Sequence, residues 1–294
     1  MADGRVSARL RPESGAFDLA LRLTLLALLL RPIGSIEILA AGMLGLAAAG
    51  LLFRPLRESS LSWLALAAMA AFEVASDWPL PDNHAYLRVY WFVAVALALS
   101  DEAPEVRLAW NGRMLVGLVL ALATLWKLAS PEFRDGTFFG VTLVSDPRFF
   151  DLARLVGDLP RDVLAAAGEA LDAHVDGPAD TGGIPEVWNA RLRAFAWIAT
   201  WATLGVEGAV ALAFLWPLGR GPSRFRDGAL LLFCATTYAV ATVEGFAWLL
   251  LAMGAAQAAG RGWRRAYVGV FFLVLFYREV AWLGWLADRI GSGA

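Results

Sequence analysis

The stretch Asp82-Asn83-His84-Ala85-Tyr86-Leu87 decides how this chain is read. It lies between an apolar segment ending near Ala75 and another running from Tyr86 to Leu99. Pro79 and Pro81, just before it, cannot sit inside a helix. A loop therefore delivers the chain to a new helix that Asp82 or Asn83 can cap, since either side chain accepts from the first free N–H groups. His84, one of two histidines, falls in the first turn. A helix N-terminus disfavours the imidazolium form, which suits a neutral hydrogen-bonding ring at a membrane surface. An interfacial histidine with no further role has the same pattern.

The segments around this stretch are apolar in the same way. The chain is 59% hydrophobic and 18% charged, against about half and a quarter in soluble domains. Its apolar runs approach the roughly 20 residues that cross a bilayer. They are Ala16–Leu30, Ile33–Phe53, Leu61–Ser76, His84–Leu99, Asn111–Ala129, Trp188–Trp216, Gly228–Met253 and Ala266–Leu286. At about 1.5 Å per residue the first reaches only about 22 Å, short of the ~30 Å hydrocarbon core. It is either a tilted or extended span or an interfacial helix. The expected fold is all-α, a polytopic helical membrane bundle of about eight transmembrane helices. It forms a single domain over residues 1–294 with an outward polar helical excursion at 131–187. Thirteen tryptophans fit interfacial belts.

Within the excursion, Asp146-Pro147 places a cap before a proline at a helix start. A short helix over Arg148–Val156 then ends at Gly157, and a second covers Pro160–His174. Gly177 to Pro185 reads as a mobile loop, and His174 as a surface residue. More arginines fall on the side of the termini (Arg5, Arg9, Arg11, Arg54, Arg57, Arg107 and Arg113 among them) than on the other (Arg31, Arg88, Arg134, Arg191 and Arg193 among them). That bias expects cytoplasmic termini.

Composition also sets aside several classes. The net charge of −2 gives no basis for nucleic-acid binding. Cys234 is the only cysteine, so no intrachain disulfide and no cysteine metal cluster can form, and no metal is expected. No phosphate-binding Gly-rich loop with its lysine, no HExxH and no GxSxG occurs.

Ionisable groups inside apolar segments are the remaining candidates, because each costs roughly 2.5–3.5 kcal/mol at a helix centre and faces the bundle interior. Lys127, near the end of its segment, reads in two ways. It is a snorkelling anchor, or a partly desolvated amine with a lowered pKa that serves as a base. Glu73 lies within an apolar helix, and Arg88 follows His84 by one turn with Asp77 and Asp82 as salt-bridge partners. Glu207 and Glu244 lie deeper. They are expected to point into the bundle, through a pair with Arg278 or a hydrogen bond across helices.

Asp82-Asn83-His84-Ala85-Tyr86-Leu87 resembles the Asn-His-Ser/Tyr-Tyr-Leu segment of the vitamin K-dependent gamma-carboxylase and its wider family, the HTTM membrane domain. About forty residues on, that family has a lysine ending an apolar helix, then an aromatic residue and a glycine. Here Lys127 is followed by Phe133 and Gly136. The family aromatic is usually Trp at slightly shorter spacing. The resemblance implies a quinol or vitamin K-like lipid as cofactor, with Lys127 as the base that deprotonates it and His84 assisting. Asn83, Tyr86, Glu73 and Arg88 are then the ligand-binding candidates. The carboxylase carries a luminal domain after its spans for its protein substrate, and this sequence stops at Ala294, just after its last span. Two functions from different classes follow. One is a membrane enzyme acting on a quinol-type or lipid ligand at His84/Lys127. The other is a non-catalytic membrane subunit or scaffold that binds lipids, or a protein partner through residues 131–187.

Overall fold

The computed structural model describes residues 14–31, 36–79, 83–176, 188–241 and 243–291. Asp82, the loop 177–185 and the side chain of His174 lie outside the described residues. Fifteen α-helices and no strand are found among the described residues. They are α1 Ser14–Leu30, α2 Glu37–Leu52, α3 Arg54–Arg57, α4 Ser60–Ser76, α5 Asn83–Leu99, α6 Pro104–Ala129, α7 Pro131–Arg134 and α8 Thr137–Ser145. The remainder are α9 Phe150–Gly157, α10 Arg161–Asp176, α11 Ala190–Leu215, α12 Arg226–Thr237, α13 Glu244–Gln257, α14 Arg261–Glu279 and α15 Trp282–Gly291.

The all-α expectation holds. Two helices, α6 and α11, are long and apolar enough to cross a membrane, and a third candidate exists if α14 and α15, bent by 59°, act as one span. The other described helices fall below that length or hydropathy. Seventeen residues in α1 or α5 reach about 25 Å at ~1.5 Å per residue.

Three boundaries differ from the sequence reading for local reasons. α6 begins at Pro104, seven residues before the expected start at Asn111, because proline is pre-organised for a first helical turn. The expected span Gly228–Met253 is two helices. The carbonyl of Thr237 accepts from the N–H groups of Val240 and Ala241, which closes α12. Glu244 opens α13, where a carboxylate complements the helix dipole. The expected span Ala266–Leu286 begins five residues early and breaks between Glu279 and Trp282.

The chain divides into two compact units. The first comprises residues 1–120, 210–235 and 243–275. Its core holds fully buried Trp63, Trp91, Phe92, Trp248, Tyr267 and Phe271. Trp63 meets Phe92 edge-on at 5.8 Å, and Trp248 stacks on Phe271 at 5.4 Å. Gly112 brings α6 close to α13, since a Cβ there would sit 2.6 Å from the carbonyl oxygen of Met253.

Three buried charges in this unit, Arg57, Arg113 and Asp227, are closed by specific partners, as low dielectric requires. The Arg57 Nε donates to Asp18 Oδ1 at 2.8 Å, and its Nη1 donates to the Gly50 carbonyl at 3.1 Å. That ties α3 to α1 and α2. Arg113 donates to the carbonyls of Phe214 and Trp216, a cation satisfying the C-terminal end of α11. Asp227 accepts from Gln257 Nε2 at 2.5 Å and from the Tyr267 hydroxyl at 2.9 Å.

The second unit comprises residues 121–209, 236–242 and 276–294. Leu143, Val144, Phe150, Leu152, Ala153, Leu164, Ala167 and Leu192 form its core. The Asp146 side chain accepts from the Arg148 N–H at 3.0 Å, as the Asp-Pro signal implies. Asp158, at φ 55°, ends α9 in the left-handed region. Arg154 Nη2 donates to Asp288 Oδ1 at 2.7 Å, tying α9 to α15.

Candidate functional site

His84 and Arg88 are one helical turn apart on α5, so their side chains leave the same face. Both line a cavity of about 180 Å³ in the first unit. Thr24, Leu28 and Arg31 of the α1 end supply a second wall, and Gly245, Trp248 and Leu249 of α13 a third. At ~10–15 Å³ of probe volume per water, the space admits a polar head group with its solvent.

The wall is held rigidly. Trp91 Nε1 donates to Thr24 Oγ1 at 2.9 Å, and Thr24 Oγ1 donates in turn to the Ala20 carbonyl at 2.8 Å. Trp248 Nε1 donates to the Phe271 carbonyl at 3.2 Å. Gly245 in the first turn of α13 leaves room: a Cβ there would stand 3.4 Å from an Arg31 nitrogen and 3.8 Å from the His84 ring.

Arg88 is the unusual residue of the cavity. It is 7% exposed, and its Nε has no hydrogen-bond partner. Glu73 attracts it Coulombically and Arg31 repels it. Arg31 is itself held by Glu244, at 3.4 Å. A guanidinium carries five donors and no acceptor, so an unused buried Nε is a donor waiting for an oxygen.

Lys127 belongs to the second unit and is absent from the lining of that cavity. Its Nζ donates to Glu207 Oε1 at 2.5 Å, with 23% of the lysine and 9% of the glutamate side chain exposed. The ammonium also stands 5.3 Å from the Phe133 ring centroid, a cation–π contact. Phe133 packs against Phe138 and Phe139. Gly136 sits at φ +88°, where a Cβ would come within 3.4 Å of the Trp197 backbone. Glu207 Oε2 is buried without a hydrogen-bond partner.

The expectation that Glu207 points inward holds, but its partner is Lys127 and not Arg278. Arg278 pairs with its neighbour Glu279 at 3.4 Å, because consecutive residues at the end of α14 reach each other at the surface. Glu244 likewise finds Arg31.

The other ligand-binding candidates divide. Asn83 is exposed, and Tyr86 is half-buried against Trp78, with ring centroids 6.4 Å apart. Neither lines the cavity. Glu73 is buried on α4 at 3% exposure. Sequence reasoning missed Arg31, Thr24, Gly245 and Trp248. Arg31 carried a signal, a cation at the end of an apolar run, but it was counted only in the arginine bias. No group of three or more metal-ligating side chains occurs among the described residues.

No protein-family model matches the chain, and comparison with curated proteins and with solved structures finds no match.

Proposed function

We propose that this chain is an integral membrane protein that holds the polar head of a quinol-type lipid or similar amphiphile in the His84/Arg88 cavity. The observation that carries this reading is a space walled by three helices with a histidine and an arginine one turn apart on one wall. Apolar body and few polar groups are the general make-up of such ligand sites. In this reading the shorter apolar helices join α6 and α11 to give about eight passes with cytoplasmic termini. The family resemblance at Asn83-His84 supports the quinol-type ligand.

The enzyme reading asks Lys127 to act as a neutral amine. Its Nζ is already engaged by Glu207, and that contact favours the non-catalytic reading, a membrane subunit that binds lipid. His84 stays the candidate for contact with ligand in both.

The test uses the full chain in phosphatidylcholine nanodiscs, with a decyl-chain quinone as probe. Binding should raise the melting temperature of the wild type and of Lys127→Arg. It should be lost in Gly245→Leu, whose side chain fills the cavity. Unchanged binding in Gly245→Leu would sink the site. Quinol-dependent turnover that Lys127→Arg abolishes, with binding intact, would restore the enzyme reading.

A further inference from the structure

The cavity holds a feature that a neutral head group leaves unsatisfied. Arg88 lies nine-tenths buried, its Nε lacks a hydrogen bond, and it faces the same space as His84 and Arg31. Elsewhere in this unit buried arginines are closed. Arg57 has Asp18 and two backbone carbonyls, and Arg113 has two carbonyls. Arg88 breaks that pattern at the one place where a cavity adjoins it. Of the acidic groups nearby, Glu244 contacts Arg31, and Glu73 attracts Arg88 Coulombically without closing its Nε.

From this we infer that the cavity is an oxyanion site, in which Arg88 donates to a phosphate or carboxylate oxygen while Arg31 and His84 flank the same group. The inference rests on the head-group reading above and selects, within it, an anionic amphiphile over a quinol. The physical case is complementarity. A guanidinium fork matches the spacing of oxyanion oxygens and gives charge-assisted bonds roughly twice as strong as neutral ones. A carbonyl or hydroxyl head would satisfy one donor without a charge-assisted bond. Arg31, 42% exposed at the side chain, sits where a charged group would first meet the protein. It then shares the anion with Arg88, which lies deeper. The oxyanion also relieves the repulsion between the two arginines, so ligand binding and cavity stability are coupled.

The experiment measures binding by calorimetry on the full chain in phosphatidylcholine nanodiscs. Four probes separate the possibilities: decyl phosphate, decanoate, decanol and inorganic phosphate. Decyl phosphate and decanoate should bind the wild type at least tenfold more tightly than decanol. Arg88→Gln should reduce oxyanion binding at least tenfold and leave decanol unchanged. Inorganic phosphate as tight as decyl phosphate would identify a free anion as the ligand, and much weaker binding would identify a lipid head; both outcomes support the oxyanion site.

Decanol as tight as decyl phosphate, with both lost in Gly245→Leu, would overturn the oxyanion inference and leave the head-group reading standing. Binding that Gly245→Leu does not affect would overturn both. Should Arg88→Gln fail to assemble, the wild-type preference for oxyanions over decanol and its loss in Gly245→Leu decide the question. No preference in that comparison overturns the proposal.

Discussion

Among the described residues of the second unit, Lys127 and Glu207 form the closest contact between opposite charges of different helices, and both charges are largely withdrawn from water. Removing one partner of a buried pair leaves the other charge uncompensated, at about 3–5 kcal/mol when burial is complete. Lys127 keeps about a quarter of its side chain exposed, so Glu207→Ala should cost about 1–3 kcal/mol. The double variant Lys127→Met/Glu207→Leu should recover most of that loss, because well-packed apolar side chains replace buried pairs at little cost. Thermal unfolding of the purified variants in detergent is the check. A Glu207→Ala protein as stable as the wild type would show that the pair is not structural. This pairing could not be read from the sequence. Several apolar segments carry one isolated charge, and nothing in spacing alone chooses Glu207 for Lys127 over Arg278. The turn joining His84 to Arg88 was legible, since it needs only helical periodicity on one segment. The rest of the cavity wall comes from segments more than fifty residues before or one hundred and fifty after it in the chain, and only packing brings them together.

Among the elements, capping signals were the most legible and continuous hydropathy the least. Asp146-Pro147 was read as a helix entry, and the structure places the Asp146 carboxylate on the Arg148 N–H and guanidinium. The Thr237–Glu244 break was hidden because apolar residues run through it. Its only marks are the paired threonines and the glutamate that restarts the helix. The Asp146 hydrogen bonds carry a pH dependence with a definite sign. The Arg148 side chain, and after it the Arg148 backbone N–H, holds the Asp146 carboxyl below its ordinary value against the opposing effect of burial. A depressed carboxyl contributes stability that is fully present above the unfolded pKa of ~3.9. That stability is lost as pH falls through the lower, folded value. Protection of the Phe150–Gly157 amides, measured relative to their intrinsic exchange rates, should therefore fall below about pH 4. Asp146→Ala should cost about 1 kcal/mol at pH 7, as lost N-caps do, and should flatten the acid dependence. Equal exchange in variant and wild type at pH 7 would contradict the cap's contribution.

For the molecule as a whole, the exposed apolar residues state what surrounds it. On α6, Leu122, Leu125 and Trp126 are 65%, 62% and 79% exposed, and α11 exposes Trp197, Ile198 and Leu212. Exposed apolar stripes along two helices long enough to cross a membrane are expected of lipid-facing surface. Trp110 and Trp126 are both exposed and lie about 24 Å apart along the α6 axis at ~1.5 Å per residue. That separation suits tryptophans at the two interfaces of one bilayer. Composition alone made the apolar helices legible, whereas the number long enough to cross a membrane depends on helix lengths, which kinks and breaks shorten. In the topology proposed above, Glu102 lies at the cytoplasmic end of α6 and Glu132 at the outer end. Cys234, the only cysteine, is buried, so single introduced cysteines can be followed without replacing it. A membrane-impermeant maleimide applied to intact cells should label Glu132→Cys and spare Glu102→Cys. Applied to inverted vesicles, it should do the reverse. Labelling of both from one side would mean that α6 does not cross, and the reverse pattern would mean that the arginine bias misorients the chain. Because α6 carries the residues on either side of the division between the two units, its crossing fixes which face of the membrane the polar helices after Lys127 occupy.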